Sequence, residues 1–364
     1  LFAAKHCFQI PGAPLSYGLN PALIARCSEE AALVKLLRKQ GAFLVGSTNL
    51  DEACLTSHGD NRHFGKVINP LARDRSPLGS SSGSAAAVSA GLVDFALGSD
   101  SGGSVRAPAA ACGVCAMKGS SGLWPREGML IAFPEFEEPG IVGTCLDDLS
   151  YLYEVCLTGG GQDQPAGTPG IVLPCLEELS CLSPGMAAAF EGLSEAFGGH
   201  ANLRHLEHEA GFRQALDARR IISAVTFGGV VDFWRIGEER LGPAGLALLE
   251  LGRRVSDAVK EEALLAIESL REEAAALLVG GEYLLTPTLP EDPPLWEDVH
   301  SGRTETDAPI NFYLAFANVC GLPALSFPFT PQGGSSISLQ LVGAHGSDVN
   351  LINCARRLQN KKNS

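Results

Sequence analysis

The chain has 364 residues, 45% of them hydrophobic and 19% charged, so it can bury a sizeable core. Its net charge of -14, with no basic stripe to offset it, argues against direct binding to nucleic acid or to an anionic membrane. No window approaches the roughly 18 consecutive apolar residues that span a bilayer, nothing resembles a signal peptide, and 11 Cys without paired spacings point to a reducing, cytoplasmic compartment with buried thiols.

Leu1 to Lys5 reads as a buried strand with a lone lysine at its exit, ordinarily a snorkelling surface residue. The run begins inside an apolar segment without a Met, and an upstream helical region is expected to be absent from it. Ser28 to Gly41 reads as an amphipathic helix capped by Ser28, with Glu29 and Glu30 in its first turn. Ala42 to Val45 follows as a strand, and strand–helix–strand alternation argues α/β.

Pro77 to Arg106 is the densest chemical stretch. Ser80, Ser81, Ser82 and Ser84 precede Ala85-Ala86-Ala87-Val88, a helix start, and Val93 to Leu97 reads as a buried strand emptying into Gly98-Ser99-Asp100-Ser101-Gly102-Gly103-Ser104. Glycines there let backbone N–H groups approach a ligand closely, as phosphate loops and oxyanion holes both require. By itself this stretch leaves those two open.

Cys112-Gly113-Val114-Cys115 is the one C-x-x-C and lacks the second pair a zinc site needs, so core packing is expected. Asp147 to Cys156 reads as a helix, and the Gly159 to Gly170 loop is the best candidate boundary. Ile171 to Leu173 and Leu203 to Leu206 read as short strands, and Leu248 to Leu278 as a long helical stretch. His205 and His208 lack a zinc-protease spacing. Tyr283 to Leu285, Gly321 to Ser326 and Ile337 to Val342 read as strands or turns into strands, Ile310 to Val319 and Val349 to Leu358 as helices, and 359–364 as a frayed tail.

The two ends of the central stretch, Gly79-Ser80-Ser81-Ser82-Gly83-Ser84-Ala85-Ala86 and Gly98-Ser99-Asp100-Ser101-Gly102-Gly103-Ser104-Val105-Arg106-Ala107-Pro108-Ala109, resemble the signature of the amidase signature family of serine hydrolases. Lys5, in Phe2-Ala3-Ala4-Lys5-His6, resembles that family's catalytic lysine, 75 residues before Ser80, and Ser104 lies 24 beyond Ser80. Gly46 to Glu52, Asn69-Pro70, Thr286-Pro287-Thr288 and Gly321 to Ala324 also resemble family segments.

The resemblance implies a single large α/β domain over 1–358, a mixed, twisted central sheet flanked by helices, with 159–280 as a variable helical insertion on the substrate side. It implies cleavage of a small carboxamide, with no cofactor and no metal. Ser104 would attack, Ser80 would relay its proton, and Lys5, its pKa lowered by apolar neighbours, would be the base. The N–H groups of Ser101, Gly102, Gly103 and Ser104 would form the oxyanion hole. Ser80 would follow a cis bond from Gly79. Cys54 and Ser80 would contact substrate, while Gly79, Asp100 and Arg106 would support the loops.

His6, Leu78 and Ser47 depart from the pattern, standing where an acid, a glycine and a lysine are usual. Within the family, Ser80 to Ser84, Phe8 to Gly12 with Gly18 to Pro21, and Leu341 to Asp348 are most similar to the branch containing indole-3-acetamide amidases. Ile141-Val142 replace that branch's aromatic pair. Two other readings stay open: a non-catalytic amidase-like binding or assembly subunit, and the glutaminase subunit of a tRNA-dependent amidotransferase. The expected partner is a small-molecule amide; homodimerisation is open.

Overall fold

The computed structural model describes residues 1–20, 27–157, 168–193, 197, 201–301, 310–330 and 336–360. The Gly159 loop up to residue 167, Pro21 and residues 361–364 of the tail lie outside them. Ten strands form one sheet: β1 (Phe2–Lys5), β2 (Leu44–Thr48), β3 (Phe95–Asp100), β4 (Cys115–Lys118), β5 (Glu138–Gly143), β6 (Gly170–Leu173), β7 (Asn202–His205), β8 (Tyr283–Pro287), β9 (Ala324–Phe329) and β10 (Ile337–Val342). Their order is β2-β1-β3-β5-β4-β9-β10-β8-β6-β7. Both flanks are parallel and the middle is antiparallel, giving the mixed sheet of a single α/β domain.

Strand alternation sorts side chains by size. Phe2, Ala4, Phe95, Leu97, Met117 and Ile141 enter the larger core, which also holds Leu149 and Tyr153 of the helix Leu146–Cys156 and Leu351 of Asp348–Asn360. Ala3, Ala96, Ala116 and Val142 face the other way, against Ala85 and Val88 of the helix Ser82–Ser89 and Ala109 of Arg106–Ala111. Small residues on that face let the alanine-rich helix lie close to the sheet. Lys5, two residues beyond Ala3 on β1, projects on this same face, where the serine turn begins.

Several expectations are corrected. The helix expected from Ser28 starts at Ala32, so Ser28, Glu29 and Glu30 lie outside it. Its first N–H groups are satisfied from elsewhere: Ala31 donates to the Gln9 carbonyl at 2.9 Å and Ala32 to that of Glu127 at 2.9 Å. The adjoining Gly128, at φ +78°, has room for no Cβ, which would meet Ala31 Cα at 2.7 Å. The expected Leu248 to Leu278 helix is two, Pro243–Arg254 and Asp257–Leu277, because extended Ser256 caps the second, its hydroxyl accepting from Val259 N–H. The helix expected from Ile310 begins at Ala315. Strand β5 escapes the sequence reading, since Glu-Pro-Gly-Ile-Val-Gly opens on turn residues and is buried on both faces.

The loop after β3 is fixed by a buried ion pair. Arg106 Nη2 lies 2.8 Å from Asp100 Oδ1 and both side chains are fully buried. Arg106 also donates to the carbonyl of Leu314 at 3.1 Å, to Asn318 Oδ1 at 2.7 Å and to Gln340 Oε1. Asp100 accepts from the N–H groups of Gly103 (2.8 Å) and Val105 (3.1 Å) and from Asn318 Nδ2 (3.0 Å). Burial acts to raise the Asp100 pKa, but the Arg106 charge and these hydrogen bonds hold the carboxyl well below its usual range. Removing one partner would strand the other charge in the core. Arg106→Met is expected to lower the unfolding free energy by about 3–5 kcal/mol in urea titrations; a loss below about 1 kcal/mol would show that the pair does not hold the loop.

Candidate active site

Lys5 is fully buried at the end of β1. Its Nζ donates to Ser80 Oγ at 2.7 Å, to Ser99 Oγ at 2.9 Å and, at 3.5 Å, to the Ser99 carbonyl. Three acceptors for three ammonium protons describe a satisfied cation. Burial acts to lower the Lys5 pKa, while the Cys54 and Cys7 sulfurs and the Glu137 carboxylate act to raise it and prevail, so the group lies above its ordinary value. The expectation that apolar neighbours would depress it is therefore corrected.

Ser80 follows a cis peptide from Gly79, as expected. Leu78, at φ 56°, adopts the left-handed conformation that a glycine there would take without steric cost. Gly79 is required by contact: a Cβ would meet Asp51 Oδ1 at 2.2 Å. The Asp51 carboxylate is an organiser that the sequence reading missed, accepting from Thr56 Oγ1 (2.8 Å) and from the N–H groups of His58 (2.9 Å) and Gly59 (3.0 Å). His6 turns away into the following loop, its Nε2 3.1 Å from Ser16 N and 2.9 Å from the Pro14 carbonyl. Ser47 is exposed on β2.

The turn is laid directly on β3. Ser84 Oγ donates to the Leu97 carbonyl at 2.9 Å, and a Cβ at Gly98 would meet Ser81 Oγ at 2.7 Å. Ser81 N–H donates to the Ser104 carbonyl at 3.0 Å, tying the two serine loops together. Ser101 to Ser104 thus lies between β3 and the helix Arg106–Ala111, with Gly103 at φ 119°. The Gly103 N–H is taken by Asp100, which corrects its expected place among the oxyanion donors. Among the described residues no hydrogen bond uses the N–H of Ser101, Gly102 or Ser104.

Half-buried Ser104 opens onto a cavity of about 340 Å³ that Cys54 also lines. Its remaining wall includes Phe133, Leu216 and Arg219, and Leu248 of the helix Pro243–Arg254. Sequence reasoning singled out neither helix Phe212–Trp234 nor Arg219, because an amphipathic helix carries no mark of which loop it will meet. A larger cavity of about 550 Å³, between Leu15 to Asn20 and Phe233 to Ile236, holds no member of the serine–lysine set. Cys112 and Cys115 are buried free thiols. His205 Nδ1 lies 2.9 Å from the Pro174 carbonyl, and among the described residues no group of three His, Cys, Asp or Glu side chains is placed to hold a metal. No helix among them is long and apolar enough to cross a membrane.

With this geometry in hand, similarity to known proteins is informative. Residues 1–167 match the family model described as Amidase. The chain is 30% identical to a glutamyl-tRNA(Gln) amidotransferase subunit of Methanothermobacter thermautotrophicus, over 91% of this chain and 78% of that one. Among solved structures it superposes on an amidase with a TM-score of 0.87 at 26% identity, covering 99% of this chain and 84% of that one. On the corresponding glutamyl-tRNA(Gln) amidotransferase subunit of Thermotoga maritima it gives 0.84 at 25% identity, covering 100% and 83%. A buried lysine–serine contact on a ten-stranded mixed sheet, together with these likenesses, places the chain in the amidase family of amide-hydrolysing enzymes.

Proposed function

We propose that this enzyme hydrolyses a small carboxamide through Ser104, Ser80 and Lys5. The observation that carries the reading is the 2.7 Å contact between Lys5 Nζ and Ser80 Oγ inside a fully buried site. With Lys5 neutral, Ser104 Oγ attacks the amide carbon while its proton passes to Ser80 and the Ser80 proton to Lys5. The N–H groups of Ser101, Gly102 and Ser104 receive the developing oxyanion. On collapse the Lys5 proton returns through Ser80 to the leaving nitrogen, the C–N bond breaks, and the amine departs. Water then attacks the acyl-Ser104 ester by the same relay, releasing the carboxylate and restoring the hydroxyl.

The middle helices form the substrate side. Ala244, Ala247, Leu248 and Leu251 give the cavity an aliphatic wall suited to an apolar acyl group. The three segments noted in the sequence are what supports a place near the indole-3-acetamide branch, whereas the curated relatives are glutamyl-tRNA(Gln) amidotransferase subunits and not members of that branch. The glutaminase reading has its own support: Asp217 and Arg220 at the same cavity have the charges that an amino acid's ammonium and carboxylate need.

An ammonia-release screen over aryl, aliphatic and amino-acid amides, glutamine included, separates these readings. Release from apolar amides is expected; release from glutamine alone, with copurification of a tRNA-binding partner, would favour the second. Ser104→Ala is expected to lower turnover at least about 10⁴-fold, and Lys5→Ala about 10²–10⁴-fold. Retention of most activity by either would identify a different machinery, and an inert wild type would match a binding subunit.

The raised Lys5 pKa sets the pH dependence. Because only neutral Lys5 accepts a proton, and its neutral fraction grows tenfold per pH unit below the pKa, log kcat/KM is expected to rise with slope near +1 from about pH 6 to 9. A plateau already reached by about pH 7 would contradict it.

A further inference from the structure

We infer that Arg219 is a positioning residue that strengthens the oxyanion hole from behind, by polarising the Ser101–Gly102 peptide. The inference rests on the reading of Ser104 as nucleophile and Gly102 N–H as an oxyanion donor. Arg219 comes from the helix Phe212–Trp234, 118 residues from the loop it meets. Its Nε donates to the Ser101 carbonyl at 2.6 Å and its Nη2 to Ser101 Oγ at 3.2 Å. The guanidinium is backed by the Phe133 ring, its Cζ 5.6 Å from the ring centroid.

The carbonyl of Ser101 and the N–H of Gly102 belong to one peptide. A charge-assisted hydrogen bond to that oxygen draws electron density from the nitrogen, which makes the N–H a better donor. No hydrogen bond among the described residues takes this N–H. The glycine is part of the arrangement: a Cβ at Gly102 would stand 2.5 Å from Arg219 Cζ and Nε, so any side chain would push the guanidinium off the peptide. Arg219 also lines the cavity that Ser104 opens onto, placing a fixed positive charge where negative charge develops in the transition state. Stabilisation of that kind acts on the reaction barrier more than on ground-state binding.

The test needs no knowledge of the substrate. A tagged fluorophosphonate phosphonylates an activated serine: the P–O bond forms as the P–F bond breaks, fluoride leaves, the serine proton passes to the relay, and the phosphonyl oxygen occupies the oxyanion site. Second-order inactivation rates, with their split into maximal rate and half-saturating concentration, are compared for the wild type, Arg219→Leu, Arg219→Gln and Arg219→Lys, with melting temperature monitored. The expected result is labelling of wild-type Ser104, a maximal rate at least about tenfold lower in Arg219→Leu with half-saturation little changed, and partial rescue by Arg219→Lys beyond Arg219→Gln. Folded variants that label at the wild-type rate, or that change only half-saturation, would overturn the role of Arg219 alone. If Arg219→Leu does not fold, the Lys and Gln variants decide in the same way. No labelling of the folded wild type would remove the nucleophile reading, and the inference with it.

Discussion

An ammonium group without solvent must find acceptors inside the protein, and Lys5 finds them in two serines. That requirement shapes everything near it. Serine oxygens from different segments must converge on the end of β1, so the turn carrying Ser80 has to lie against the face of β3. Glycine at 79 and 98 makes the approach feasible, since Asp51 and Ser81 occupy the space a Cβ would take. The alanine face of the sheet serves the same end, letting the helix that follows Ser80 descend onto β1 and β3. Local composition, sheet geometry and proton chemistry are thus one constraint.

The second serine loop is held by a different interaction. Asp100 spends its carboxylate on Arg106, Asn318 and the Gly103 and Val105 N–H groups. The pair is buried and hydrogen-bonded on both sides, which avoids the cost of an isolated buried charge. Through Asn318 and Gln340 it also connects the Ser101–Ser104 loop to the helix Ala315–Val319 and to β10. Residues more than two hundred positions away in the chain therefore set the loop's shape. The helix Phe212–Trp234 meets the same loop through Arg219, which donates to the Ser101 carbonyl.

Much of this was legible in the sequence because it is local. The serine clusters around Ser80 and Ser104 stand out by composition and the period-two pattern of β10 is plain, whereas Lys5, by itself an ordinary snorkelling lysine, is marked only by the family resemblance. What was hidden is tertiary. The cap signal at Ser28 lost to backbone acceptors supplied by Gln9 and Glu127, and β5 opens on Glu-Pro-Gly, a turn-like signal, yet pairs with β3 and β4 on its two sides. The lowered pKa expected for Lys5 followed from apolar neighbours in sequence, but nearby Cys7 together with Cys54 and Glu137 from distant segments decides its sign. Asp51, Ser99 and Arg219 act through contacts that no spacing rule encodes.

The central claim is that the acyl group passes through Ser104. Rapid quenching of the enzyme with an activated ester such as p-nitrophenyl butyrate, followed by mass spectrometry of the peptide spanning residues 76–106, tests it most directly. An adduct of one acyl group localised to Ser104, absent in Ser104→Ala and accumulating slowly in Lys5→Ala, is the predicted result. An adduct on Ser80 or Cys54, or no adduct during turnover, would contradict it.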